Sequence, residues 1–131
     1  MGIESIVIET LKSWLPGEWQ RKGFKKALRK FVLDNIDNEA LESVDDIVNE
    51  IGRYLPDLFL IDKKLVVIEV EDTSKLSEPK LQAYCRLWDA LDYYSLEMEL
   101  YVTDRYGLNP QKIPLMEFML TFIKEASVNR S

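Results

Sequence analysis

Two short apolar runs, Leu58 to Ile61 and Leu65 to Val70, are separated by the polar bend Asp62-Lys63-Lys64, and together they read as a hairpin of two strands. The second run is Leu-Val-Val-Ile without interruption before Glu69, so both of its faces are apolar. Such a strand belongs in the middle of a sheet that is covered on both sides. Met98 to Asp104 alternates Met98, Leu100 and Val102 against Glu99, Tyr101 and Thr103, which predicts a further strand. Between the two lies a helical stripe, Leu81, Tyr84, Cys85, Trp88 and Leu91, opened by Ser77 as cap with Glu78 and Pro79 in its first turn. A strand, a crossover helix and a strand imply a right-handed parallel connection beside the buried pair.

Helical spacing recurs elsewhere. Ile3, Ile6, Val7, Leu11 and Trp14 predict a helix from Gly2 to Leu15, ended by Pro16-Gly17. Phe24, Ala27, Leu28, Phe31 and Val32 predict a second from about Glu18 to Leu33. Leu41, Val44, Val48 and Ile51 predict a third from Glu39 to Arg53, and a last one runs from Pro114 through Leu115, Phe118, Met119, Phe122 and Ile123. Arg105 to Pro110 reads as a loop. The expected architecture is a single α/β domain over residues 1–131. N-terminal helices occupy residues 1–35, a motif-bearing core residues 54–104 and a C-terminal helix residues 110–127.

The buried strand ends in acids. Alternation puts Leu65, Val67, Glu69 and Glu71 on one face, and Val66, Ile68 and Val70 on the other. If the bend is centred on Lys63, Asp57 falls opposite Glu69 on the face that carries Glu71, and three carboxylates converge. A bend that pairs Asp57 with Ile68 or Val70 instead separates them. Converging acids at the edge of an apolar sheet need neutralising. The chain has no His, and neither strand contains Lys or Arg. A divalent cation is the economical remedy, and oxygen-only ligands suit Mg²⁺, Mn²⁺ or Ca²⁺ rather than Zn²⁺.

Pro56-Asp57, a hairpin of about a dozen residues and then Glu69-Val70-Glu71 resemble the PD-(D/E)XK nuclease superfamily, with Glu71 in the position where that family usually has Lys. The resemblance implies a restriction-endonuclease-like fold, a central mixed β-sheet flanked by helices on both faces. It also implies a Mg²⁺- or Mn²⁺-dependent endonuclease acting on nucleic acid, most readily DNA. Asp57 and Glu69 would chelate the metal, Glu71 would add a ligand or orient the attacking water, and the carbonyl of Val70 would complete the shell. Glu18 is a candidate fourth acid, because the family often draws one from its first core helix; it equally complements a helix dipole there, and Glu42 and Glu50 compete for the role. The family pattern also expects a strand before the Pro-Asp strand, and none stands out here. Lys75, Lys80 and Gln82 lie nearest the motif along the chain. Either lysine could supply the positive charge that Glu71 displaces, although for each singly the stronger reading is an ordinary residue, Lys75 of a loop and Lys80 and Gln82 of a first-turn surface. The noncatalytic alternative keeps the fold as a recognition module for nucleic acid or protein. The blandest reading leaves the glutamates at a solvated strand end.

Composition narrows the rest. With 131 residues, 47% hydrophobic and 31% charged, the chain suits one soluble globular domain. A single Cys excludes a disulfide framework and fits a reducing cytoplasm. No run approaches a membrane span or the apolar core of a signal peptide, so a cytoplasmic protein is expected. The lack of His excludes His-based triads and HExxH metal sites but not carboxylate-bound metal chemistry. The net charge of −6 argues against nonspecific nucleic-acid binding over the whole surface. Charge is nevertheless polarised: Arg21, Lys22, Lys25, Lys26, Arg29 and Lys30 cluster, and they read equally as a solvated helix face or a phosphate-contacting surface. The resemblance to the nuclease superfamily also implies that a homodimer is an option, since two sites are needed to cut two strands, although no coiled-coil heptad or interface stands out in the sequence.

Overall fold

The computed structural model describes residues 3–36, 41–70 and 76–129. Five helices and four strands follow in the order α1 (Ile3–Trp14), α2 (Phe24–Asn35), α3 (Leu41–Glu50), β1 (Leu58–Ile61), β2 (Leu65–Val70), α4 (Glu78–Tyr93), β3 (Met98–Thr103), β4 (Gln111–Ile113) and α5 (Leu115–Asn129). The strands form one mixed sheet in spatial order β1-β2-β3-β4. β1 pairs antiparallel with β2, β2 parallel with β3, and β3 antiparallel with β4. The α/β assignment and the parallel β2-α4-β3 crossover therefore hold.

The hairpin register is Leu58↔Ile68 through Ile61↔Leu65, which centres the bend on Lys63. The amide of Asp62 donates to the carbonyl of Lys64 at 3.1 Å and closes it without glycine. Alternation then sorts the side chains into two cores. Phe59, Leu65, Val67, Met98 and Leu100 pack beneath α2, α3, α4 and α5. Leu58, Leu60, Val66 and Ile68 pack on the opposite face against Val7 and Leu11 of α1 and against Trp19. Helices thus cover both faces, and β2 between them is buried from Leu65 to Glu69.

The start of α2 and the strand β4 differ from expectation. α2 starts at Phe24, not Glu18. Residue Gln20 instead exchanges both backbone hydrogen bonds with Phe59, at 2.8 and 2.9 Å, and satisfies the outer edge of β1; pairing an exposed strand edge outweighs helical propensity there. Gly23, at φ 76°, makes the left-handed turn into the helix. No strand forms between α3 and β1 among the described residues, and Gln20 does the edge-covering that such a strand would do. β4 was not expected at all, since Gln111-Lys112-Ile113 is too short and too polar to read as a strand. The third and fifth helices occupy the segments anticipated for them.

Candidate functional site

Burying β2 on both faces carries a carboxylate into the interior. Glu69 is fully buried on the four-helix face, paired laterally with Val102. An ion in that position costs several kcal/mol unless it is partnered. Two partners descend from the start of α4. The ammonium of Lys80 lies 2.7 Å from Glu69 Oε1, and the Tyr84 hydroxyl donates to the same oxygen. Their spacing of four residues stacks them on one helix face. The helix is oriented by its first turn, where the amide of Lys80 donates to Ser77 Oγ at 3.4 Å and Pro79 sits beside the cap. Glu69 Oε2 is buried and has no hydrogen-bond partner among the described residues.

Asp57 adjoins the same carboxyl. The register places it opposite Glu69, one position beyond the last ladder pair. The amide of Val70 donates to Asp57 Oδ2 at 2.8 Å and ties the carboxylate to the strand end. The consequence is electrostatic. Burial pushes the Glu69 carboxyl up, the bonds from Lys80 and Tyr84 pull it back, and the adjoining Asp57 carboxylate pushes it up again, to about 7. Burial, reinforced by the Glu69 charge, drives the Tyr84 phenol upward, so it remains a donor.

The structure thus brings Asp57, Glu69, Val70 and Lys80 together. Glu71 and Lys75 lie outside the described residues. Among the described residues no group of three or more acidic or thiol side chains stands ready to hold an ion, so the described part of the centre is a pair of acids rather than the expected three. Neither strand holds a cation for Glu69; Lys80, one of the two lysines offered for a positive charge at the motif, stands beside it from α4.

Glu18 is corrected. It is exposed, it opens no helix, and the antiparallel Gln20↔Phe59 bridge runs it toward the hairpin bend, away from Asp57. Gly17 beside it packs so tightly on Leu60 that an added Cβ would overlap that side chain. Glu50, 3.6 Å from Arg86, lies beside Asp89 and Asp92 toward the far end of α4, and Glu42 is exposed in the first turn of α3. Neither joins the pair. Gln82 points away from the acids, bonds Glu78 at 3.4 Å and lines a groove between α4 and α5.

The bases divide. Beyond the bridge, Arg21 and Lys22 run toward the Asp57 end of β1, and Lys25, Lys26 and Lys30 are exposed on α2. The first turn of α2 contains no acid, and its cap makes no side-chain hydrogen bond, so the positive end of the helix dipole is not offset there. Arg29 is engaged with Asp45 of α3 at 2.7 Å.

The residue that sequence reasoning missed is Tyr84, read there only as part of an apolar stripe. Its signal was available. A buried tyrosine needs a partner for its hydroxyl, and Lys80 and Tyr84 share a helix face directly after an acid-bearing strand.

No family model, curated protein or solved structure matches the chain. No helix among the described residues is long and apolar enough to cross a membrane.

Proposed function

We propose that this chain is a metal-dependent nuclease of the restriction-endonuclease-like kind, hydrolysing phosphodiester bonds in DNA. The observation that carries the reading is a fully buried glutamate whose second oxygen lacks a hydrogen-bond partner among the described residues and whose carboxyl stands beside that of an aspartate. Buried acceptors are rarely left open, and two adjacent acids repel, so the pair is suited to a divalent cation. Oxygen-only donors fit Mg²⁺ or Mn²⁺. Asp57, Glu69 and the carbonyl of Val70 would hold the ion, with Glu71 as a further ligand if alternation continues past Val70. Such an ion supplies charge neutralisation at the phosphate and a more acidic water.

The protein's own groups have separate tasks. Tyr84 and Lys80 hold Glu69 Oε1 and leave Oε2 as the oxygen that would be offered to an ion. Lys80, one-fifth exposed, keeps a positive charge at the mouth of the centre, where charge develops on the phosphate. Lys22, Lys25, Lys26 and Lys30 offer the substrate backbone a basic flank on the side where Asp57 sits. The antiparallel hairpin, crossover helix and parallel strand support the endonuclease-like architecture, and the single buried cysteine suits a reducing cytoplasm.

Lys80 also favours a second reading, because it balances the Glu69 charge without any metal. The fold would then serve as a noncatalytic recognition module. One experiment separates the two. Circular and branched DNA are incubated with Mg²⁺ or Mn²⁺, with a gel shift in Ca²⁺ alongside. The nuclease reading expects nicks that disappear with Asp57→Asn; binding without nicking in any of these ions contradicts it and leaves the module.

A further inference from the structure

Of the ten large hydrophobic side chains exposed among the described residues, four lie on α5: Met116, Phe118, Leu120 and Ile123. The helix does not need them for its own packing. Leu115, Met119 and Phe122 already turn inward against the core beneath α4. Met116, Leu120 and Ile123 repeat at four and three residues, so they form a straight stripe on the outer side, 58%, 60% and 50% exposed. One edge of that stripe borders the groove between α4 and α5, which is about 300 Å³ and is lined by Met119, Phe122, Ile123 and Cys85 with Gln82 and Arg86 of α4. The other edge carries two exposed charges, Glu117 and Lys124, seven residues apart and therefore on the same side.

We propose that this stripe is the two-fold interface of a homodimer in which α5 packs antiparallel against α5 of a second copy. Charge complementarity selects the occupant. With a net charge of −6, two copies repel at most faces. Among the described residues of α5 the stripe is apolar with one acid and one base along its outer edge, and their order matters. In an antiparallel pair centred between Leu120 and Thr121, Glu117 meets Lys124 of the second copy and Lys124 meets its Glu117. A parallel pair would instead carry the two charged edges to opposite flanks of the interface, where Glu117 and Lys124 meet no opposite charge from the second copy. The self-complementary pattern is the one a two-fold axis requires. A single helix face is a small interface, so the dimer forms at on the order of 10–100 µM.

Sedimentation of the full chain over a concentration series tests this. The expected result is a monomer–dimer equilibrium that Leu120→Glu abolishes while the circular dichroism of the monomer is unchanged. Glu117→Lys weakens association by about tenfold or more, because both cross-pairs become repulsive. The double variant Glu117→Lys/Lys124→Glu restores it to within about threefold, since the pairs are only exchanged. A chain that stays monomeric to about 1 mM, a dimer indifferent to Leu120→Glu, or a double variant no better than Glu117→Lys overturns the proposal. None of these readouts involves DNA or metal, so the result stands whether or not the chain cleaves.

Discussion

Two glutamates on neighbouring strands, Glu69 on β2 and Glu99 on β3, both meet lysine ammonium groups, yet they titrate in opposite directions. Glu99 lies on the α1 face of the sheet, bonded by Lys64, by Lys112 at 2.9 Å and by the Tyr101 hydroxyl at 3.1 Å. Burial pushes its carboxyl up, but the two lysines outweigh that and hold it at about 2. Glu69 is buried more deeply, has one lysine instead of two and stands beside a second acid, and its carboxyl rises to about 7. Glu99 is satisfied on both oxygens, whereas Glu69 keeps one open. A lysine near a glutamate is therefore no guide to purpose by itself. Depth, the number of opposite charges and the presence of another acid separate a strut from a centre suited to a cation.

The largest effect expected from this contrast is on cleavage. Glu69→Gln lowers Mn²⁺-dependent nicking of supercoiled DNA by about a thousandfold or more, and Glu99→Gln leaves the rate within about threefold. Equal losses for both would erase the distinction. Next comes stability. Lys80→Met leaves the Glu69 charge buried with no cation and costs about 3 kcal/mol in urea unfolding. Lys64→Met removes one of two partners from a half-exposed cluster and costs about 1 kcal/mol or less. Tyr84→Phe takes away one donor to a buried carboxylate, with an expected loss of about 2 kcal/mol. The smallest effect is on pH dependence. The Glu99 carboxyl is lower in the folded chain than in the unfolded one, so its contribution is complete above about pH 4.5. It disappears as pH falls toward 2. Unfolding free energy should drop by about 1 kcal/mol over that window, and Glu99→Gln should flatten this portion of the curve.

Much of this was legible in the sequence, for physical reasons that differ by element. The two strands and the bend between them follow from the apolar runs and Asp62-Lys63-Lys64, whereas the register stayed open in the sequence; the structure centres the bend on Lys63, which brings Asp57 to Glu69. Ser77 and Pro79 mark the start of α4 through local capping chemistry, and the helix then presents Lys80 and Tyr84. What was not legible depends on contacts distant in sequence. Gln20 leaves the helical pattern because an edge of β1 needs its backbone, and β4 exists because β3 offers it one. The unpaired oxygen of Glu69 is likewise a property of packing, invisible in a string of residues.

The central claim is that Asp57 and Glu69 together hold a divalent cation. Calorimetric titration of the protein with Mn²⁺ at pH 8 tests it without reference to any substrate. Saturable binding that is lost in both Asp57→Asn and Glu69→Gln, and retained in Glu99→Gln, is the predicted result. No binding by the wild-type chain, or binding that survives Glu69→Gln, would contradict it.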